Sequence, residues 1–195
     1  YALPKLYEKL SIGTSPHNLR GIFAYRNFWI QNEAREFYVK ADSEWFSFDL
    51  EKGRPGKITE ELIAPFKERE DVLHLPPLQR KIAFPESYQE GALIPVVQDF
   101  LDTNHHMNNA KYIALAEEVI FQCTGKPAIF FTEGEEKADS KREFYSIRAE
   151  YVKAYTLGDS IFPRVAIEED RTVVAFYNQN KELCCHVEIR KNPDA

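Results

Sequence analysis

Gln98–Tyr112 reads Q-D-F-L-D-T-N-H-H-M-N-N-A-K-Y, and the rest of the chain is organised around it. Asp102, Asn104 and His106 stand at every second position. In an extended segment alternate side chains project to the same side. The spacing therefore predicts that these three line one side of a loop. Asn108 and Asn109 follow, and then Tyr112, Ile113, Ala116, Val119, Ile120 and Cys123 recur at helical spacing. Gly125 and Pro127 supply the stop signal, so a helix over 109–123 is expected. An acid, an amide, an imidazole and the N–H groups of a helix start would then share one place.

Downstream of the helix, 130–141 is charged and reads as a loop. Strands are expected over 142–154, 159–167, 172–177 and 183–190, with a hairpin turn at 178–181. The second half thus reads as one long helix wrapped by an antiparallel meander. Upstream, 92–98 has strand character. The stretch 68–91 is mixed in charge and carries Pro76, Pro77 and Pro85, so it reads as a linker. Ahead of it, strands are expected over 5–15, 19–30 and 36–50, then a turn with Gly53 and Pro55. A short helix over 59–66 follows, with Thr59 at its N-cap. This first half is a meander without a long helix. The expected organisation is 1–67, a linker over 68–91, and 92–195.

Charge and composition exclude several classes. A net charge of −6 argues against general nucleic-acid binding. No apolar span is long enough for a transmembrane helix. Three cysteines, Cys123, Cys184 and Cys185, make neither a disulfide framework nor a metal set, which points to a reducing, cytoplasmic setting.

Three chemistries fit the polar run. Asn, Asp and His cap helix N-termini, and the run is longer than capping needs. Asp102 and Asn104 resemble the start of a calcium loop, but Met107 and Ile113 occupy the positions that need Gly and Glu. A His–Asp zinc site stays open, although no second His or Cys has suitable spacing. The third is hydrolysis of an activated acyl group. A carboxylate attacks the carbonyl or deprotonates water, a neighbouring His shares the protons, and helix-start N–H groups hold the oxyanion. Thioesters suit it, because a thiolate leaves without strong acid help.

D-F-L-D-T-N-H-H-M-N-N-A-K-Y-I resembles the D-x-D-x-N-x-H-x-N-N-x-x-Y signature of acyl-acyl carrier protein thioesterases, plant and bacterial. G-I-F-A-Y-R-N-F, S-E-W-F-S-F-D-L-E-K-G-R-P and Y-V-K-A-Y-T-L-G-D are similar to further segments of that family, in the same order. The resemblance implies an α+β double hotdog, two antiparallel sheets each wrapping a long helix. Here the first hotdog lacks its opening strand and helix, so a longer protein with an N-terminal piece before Tyr1 is expected.

The implied reaction is hydrolysis of fatty acyl-acyl carrier protein to free fatty acid, with no metal or dissociable cofactor. Asp102 would be the catalytic carboxylate, Asn104 would position the thioester or that carboxylate, and His106 would move protons. Asn108 and Asn109 would shape the oxyanion site. The implied partner is an acidic carrier protein bearing acyl-phosphopantetheine, met by a basic surface drawn from Lys126, Lys137, Lys141, Arg142 and Lys153. A homodimer is a further expectation. Two positions depart from the family. Its usual Glu is Ala154 here, which implies lower activity, work shifted wholly onto Asp102, or replacement by an acid such as Glu150, and the Cys of plant members is Tyr155.

Overall fold

The computed structural model describes residues 4–66, 73, 75–76, 81–128 and 144–192. It divides into two compact units, Tyr1–Gln79 and Arg80–Ala195.

The first unit is built on an antiparallel sheet of β1 (Leu10–Arg20), β2 (Phe23–Asn32) and β3 (Phe37–Phe46). The first strand was expected over 5–15. Instead Leu6 and Tyr7 lie in an exposed turn, and the strand runs on through Pro16 to Arg20. A register shift after His17 admits Asn18 at φ 48° and accommodates those residues. Register places Gly13 opposite Trp29, and a Cβ on Gly13 would meet the indole at 2.1 Å, so a side chain here would require the Trp29 ring to move.

One face of the sheet is polar. Ser15 and Asn27 are fully buried there, and His17 Nε2 lies 2.9 Å from Asp42 Oδ1 and 3.2 Å from Asn27 Nδ2. The other face carries Ile12, Phe28, Val39 and Trp45, all exposed. Next come the small hairpin of β4 (Phe48–Asp49) and β5 (Arg54–Pro55), then α1 (Glu60–Ile63). Thr59 holds the N-cap position of α1, but its carbonyl receives the Leu62 and Ile63 N–H groups while its hydroxyl makes no capping bond.

The second unit is a sheet around one helix. Its strands are β6 (Gln89–Glu90), β7 (Ile94–Pro95), β8 (Phe144–Tyr151), β9 (Ser160–Ile167), β10 (Arg171–Tyr177) and β11 (Leu183–Asn192). They run in the antiparallel order β6-β9-β10-β11-β8, with β7 also on β9. Of the stretch 68–91 read as a linker, 81–91 lies on this unit. Gln89 and Glu90 pair with β9, and Ile82 is buried. The strand expected over 92–98 is reduced to β7, because Gln98–Phe100 turns into a 3-10 helix.

Helix α2 (Asn109–Thr124) is the element that the 98–112 stretch predicts. Asn108 Oδ1 caps it by accepting the Ala110 N–H at 2.9 Å. Gly125 ends it at φ 68°, a conformation that costs an L-residue about 1 kcal/mol or more. Tyr112, Ala116, Val119 and Ile120 are its buried stripe. They pack with Ile161, Val165, Val174, Phe176, Cys185, Val187 and Ile189 from one face of the sheet. Burial of each large aliphatic in that core stabilises the unit by roughly 1.5–3 kcal/mol.

The opposite face of this sheet is charged yet shielded. Glu188 is 4 % exposed and meets Arg148, Arg171 and Arg190 at 3.3, 2.9 and 3.4 Å. His186 lies beside it under the stacked ring of Phe84.

Candidate active site

The motif folds as a tight turn, not as an extended run. Leu101 and Met107 face each other in a single antiparallel bridge. Inside it the Asp102 N–H donates to the His106 carbonyl at 2.8 Å, and the His105 N–H donates to the Asp102 carbonyl at 3.1 Å. His105 sits at φ 60°, where the chain reverses. Alternation therefore does not explain how Asp102, Asn104 and His106 come together. The Asp102 carboxylate does: Oδ1 accepts the N–H of Asn104 at 2.8 Å and of His106 at 3.3 Å. This is local side-chain-to-backbone bonding of the kind that Asp favours in turns.

The two oxygens of Asp102 have different surroundings. Oδ1 holds the turn, and no described residue hydrogen-bonds to Oδ2. Asp102 is half-buried, while Asn104, His106, Asn108 and Asn109 are exposed. Among the described residues the side chains of Asn104 and His106 have no hydrogen-bond partner. Asn108 commits its Oδ1 to the helix cap, which leaves its NH2 group as a donor. Asn109 opens α2, and its carbonyl receives the Tyr151 hydroxyl at 3.1 Å. A half-anchored carboxylate, an imidazole and amide donors at a helix N-terminus can attack a carbonyl, move a proton and hold an oxyanion.

The flanking acids lie elsewhere. Ala154 is exposed and has no carboxylate. Glu150 Oε2 accepts the Ile82 N–H at 2.8 Å and lies 3.7 Å from His186 Nδ1, so its contacts are on the charged face of the sheet. Lys153 pairs with Glu182, while Lys137, Lys141 and Arg142 fall outside the described residues. The three thiols are free, and burial pushes those of Cys184 and Cys185 up, away from thiolate character. No group of three His, Cys, Asp or Glu suited to a metal ion occurs among the described residues.

Tyr155 bonds to the motif directly, and spacing alone does not reveal it. It stands in the polar-looking run K-A-Y-T, yet it is fully buried, and its carbonyl accepts the Met107 N–H at 2.9 Å. An aromatic between exposed neighbours is the one signal that marks it.

Residues 1–66 match the family model of the acyl-ACP thioesterase N-terminal domain. Over this third of the chain the sequence is similar to that domain. The solved structures agree on the fold across both units. An acyl-ACP thioesterase from Bacteroides thetaiotaomicron superposes with a TM-score of 0.70 at 19% identity, over 95% of this chain and 70% of that one. An oleoyl thioesterase from Lactobacillus plantarum gives 0.70 at 23% identity, over 98% and 71%. The 12:0-ACP thioesterase from Umbellularia californica gives 0.65 at 15% identity, over 98% and 70%. At these identities the likeness is one of fold, the α+β hotdog architecture of the acyl-ACP thioesterases. Among curated proteins nothing matches the chain. No helix among the described residues is long and apolar enough to cross a membrane.

Proposed function

We propose that the chain hydrolyses the thioester of fatty acyl-acyl carrier protein and releases free fatty acid. The observation that carries this reading is the split role of Asp102, whose Oδ1 is fixed by two N–H groups while Oδ2 makes no hydrogen bond to a described residue. Oδ2 attacks the thioester carbonyl and expels the thiolate to give an anhydride that water then hydrolyses, or it takes a proton from a water that attacks the carbonyl directly. His106 shares the proton transfers and protonates the departing thiolate. Asn104 orients the thioester against the carboxylate. The Asn108 amide and the N–H of Asn109 hold the developing oxyanion, aided by the positive end of α2. With alanine at position 154, the acid and base work falls wholly on Asp102 and His106.

The acyl group arrives on the phosphopantetheine arm of an acidic carrier protein, in a cytoplasmic setting that keeps the three thiols reduced. Fatty acid release measured side by side on acyl-carrier-protein and acyl-CoA thioesters tests the reading. A kcat/KM at least tenfold higher on the carrier-protein thioester is expected. A preference for acyl-CoA would move the activity to the other thioester. Tight acyl binding with no release would make the chain an acyl-binding protein, the alternative that Ala154 keeps open.

A further inference from the structure

Residues 101–108 make five backbone hydrogen bonds through their own N–H groups, and four of these are local. The fifth reaches far along the chain, from the Met107 N–H to the Tyr155 carbonyl at 2.9 Å. The backbone of the same residue is held on the other side of its Cα, where the Tyr155 N–H donates to the Tyr112 hydroxyl at 3.3 Å. The two rings stack with centroids 5.9 Å apart and 29° between planes. Tyr151 meets Tyr112 edge-on at 5.5 Å and gives its hydroxyl to the Asn109 carbonyl. Tyr155 is fully buried and Tyr112 is 2 % exposed, so this arrangement belongs to the core and not to the mobile surface.

Met107 stands between His106 and Asn108, so the location of its amide sets both neighbours. We propose that Tyr112 and Tyr155 are a positioning pair for the Asp102–His106 turn. The Tyr112 hydroxyl accepts the Tyr155 N–H, and the Tyr155 carbonyl, one peptide further on, holds Met107. The catalytic consequence rests on the thioesterase reading; the mechanical one does not. The Tyr155 hydroxyl takes no part. It is buried with no hydrogen-bond partner among the described residues, and the adjacent Cys184 thiol points to the Glu182 carbonyl at 3.7 Å. Only the backbone and the ring of Tyr155 are therefore needed. A misplacement of about 1 Å at a catalytic group lowers turnover by up to ~100-fold without touching the chemistry itself.

The test compares Tyr112→Phe, Tyr155→Leu and Tyr155→Phe by amide exchange at Met107 and by steady-state hydrolysis of an acyl-carrier-protein thioester. Tyr112→Phe and Tyr155→Leu should speed exchange at Met107 by about tenfold, in line with one lost hydrogen bond. They should lower kcat by about tenfold while KM stays within about twofold, as for a loss felt in the transition state. Tyr155→Phe should restore both values that Tyr155→Leu loses. Should Tyr112→Phe fail to fold, the Tyr155→Leu and Tyr155→Phe pair decides by the same readouts.

Wild-type exchange at Met107 in Tyr112→Phe would overturn the proposal, as would faster exchange with wild-type kcat. If the wild-type protein releases no fatty acid, the thioesterase reading fails by itself. The exchange measurement then still decides whether the pair holds the turn.

Discussion

Asp102 Oδ1 lies 2.8 Å from the backbone nitrogen of Asn104, so one oxygen of the candidate catalytic carboxylate is also a structural element of its own turn. The fold and the chemistry therefore meet in one side chain, and substitutions at Asp102 can separate them. Asparagine keeps the Oδ1 acceptor and removes the charge, whereas alanine removes both. Asp102→Asn should unfold within about 0.5 kcal/mol of wild type, and Asp102→Ala about 1 kcal/mol earlier, the usual scale for a lost side-chain cap. Urea unfolding of the two variants measures the difference.

Helix α2 carries Asn109 into the site, and its start rests on the Asn108 carboxamide. Asn108→Ala should cost about 1 kcal/mol of stability, and Asn108→Asp, which keeps a capping oxygen, less than half of that. Because the Asn108 NH2 group is also assigned to the oxyanion, Asn108→Asp should still lower kcat. Calorimetry paired with turnover resolves the two roles.

The His186 ring has both nitrogens buried without a hydrogen-bond partner among the described residues, and Glu150 Oε2 is 3.7 Å from Nδ1, too far for a hydrogen bond. Burial pushes its pKa below the ordinary histidine value, and the pull of Glu150 only partly offsets this. The unfolded chain takes up a proton as pH falls through about 6.5, while the folded chain stays neutral until lower pH. Stability should therefore decline from near neutrality downward and level off once the folded imidazole protonates. His186→Phe keeps a ring against Phe84 and should flatten that limb. Unfolding midpoints at pH 7.5 and 5.5 check it, and an unchanged drop in the variant would exclude His186 as the cause.

Glu188 gives a second, more acidic limb. Burial would raise its carboxyl, but the hydrogen bond from Arg171 and the charges of Arg190 and Arg148 outweigh that and hold it below the usual range. Its contribution is present above about pH 4.5, the unfolded value, and is lost as pH falls through the lower folded value. Glu188→Ala leaves three arginines around a vacated anion position and should cost about 3 kcal/mol at pH 7. A smaller loss, within about 0.5 kcal/mol, would mean that the arginines find other carboxylates, with Glu168 and Asp170 nearest to hand.

Much of this was legible where one physical signal dominates. The apolar stripe from Tyr112 to Ile120, with Asn108 before it and Gly125 after it, specifies α2 almost to the residue. Strands β9, β10 and β11 follow from β-branched runs bounded by turn residues. Legibility ended where a side chain overrides the local pattern. Asp102 bends a segment that alternation reads as extended. Leu6 reads as a strand residue but lies exposed in a turn, while Pro16 and Asn18 lie within β1. Cys185 to Arg190 alternates like a strand with one wet face, yet His186 and Glu188 are shielded, because burial there depends on pairing with arginines and a stacked Phe84. Tyr155 left only the faint signal of an aromatic between exposed neighbours, because its hold on Met107 runs through its backbone, which leaves no trace in residue type.

The central claim is that Asp102 carries out thioester hydrolysis. Single-turnover release of free fatty acid from an acyl-carrier-protein thioester, by wild type and by a folded Asp102→Asn protein, tests it most directly. Release by wild type, with loss of at least about 1,000-fold in Asp102→Asn, is the predicted result. Release by Asp102→Asn at the wild-type rate, or acyl binding by wild type without any release, would contradict it.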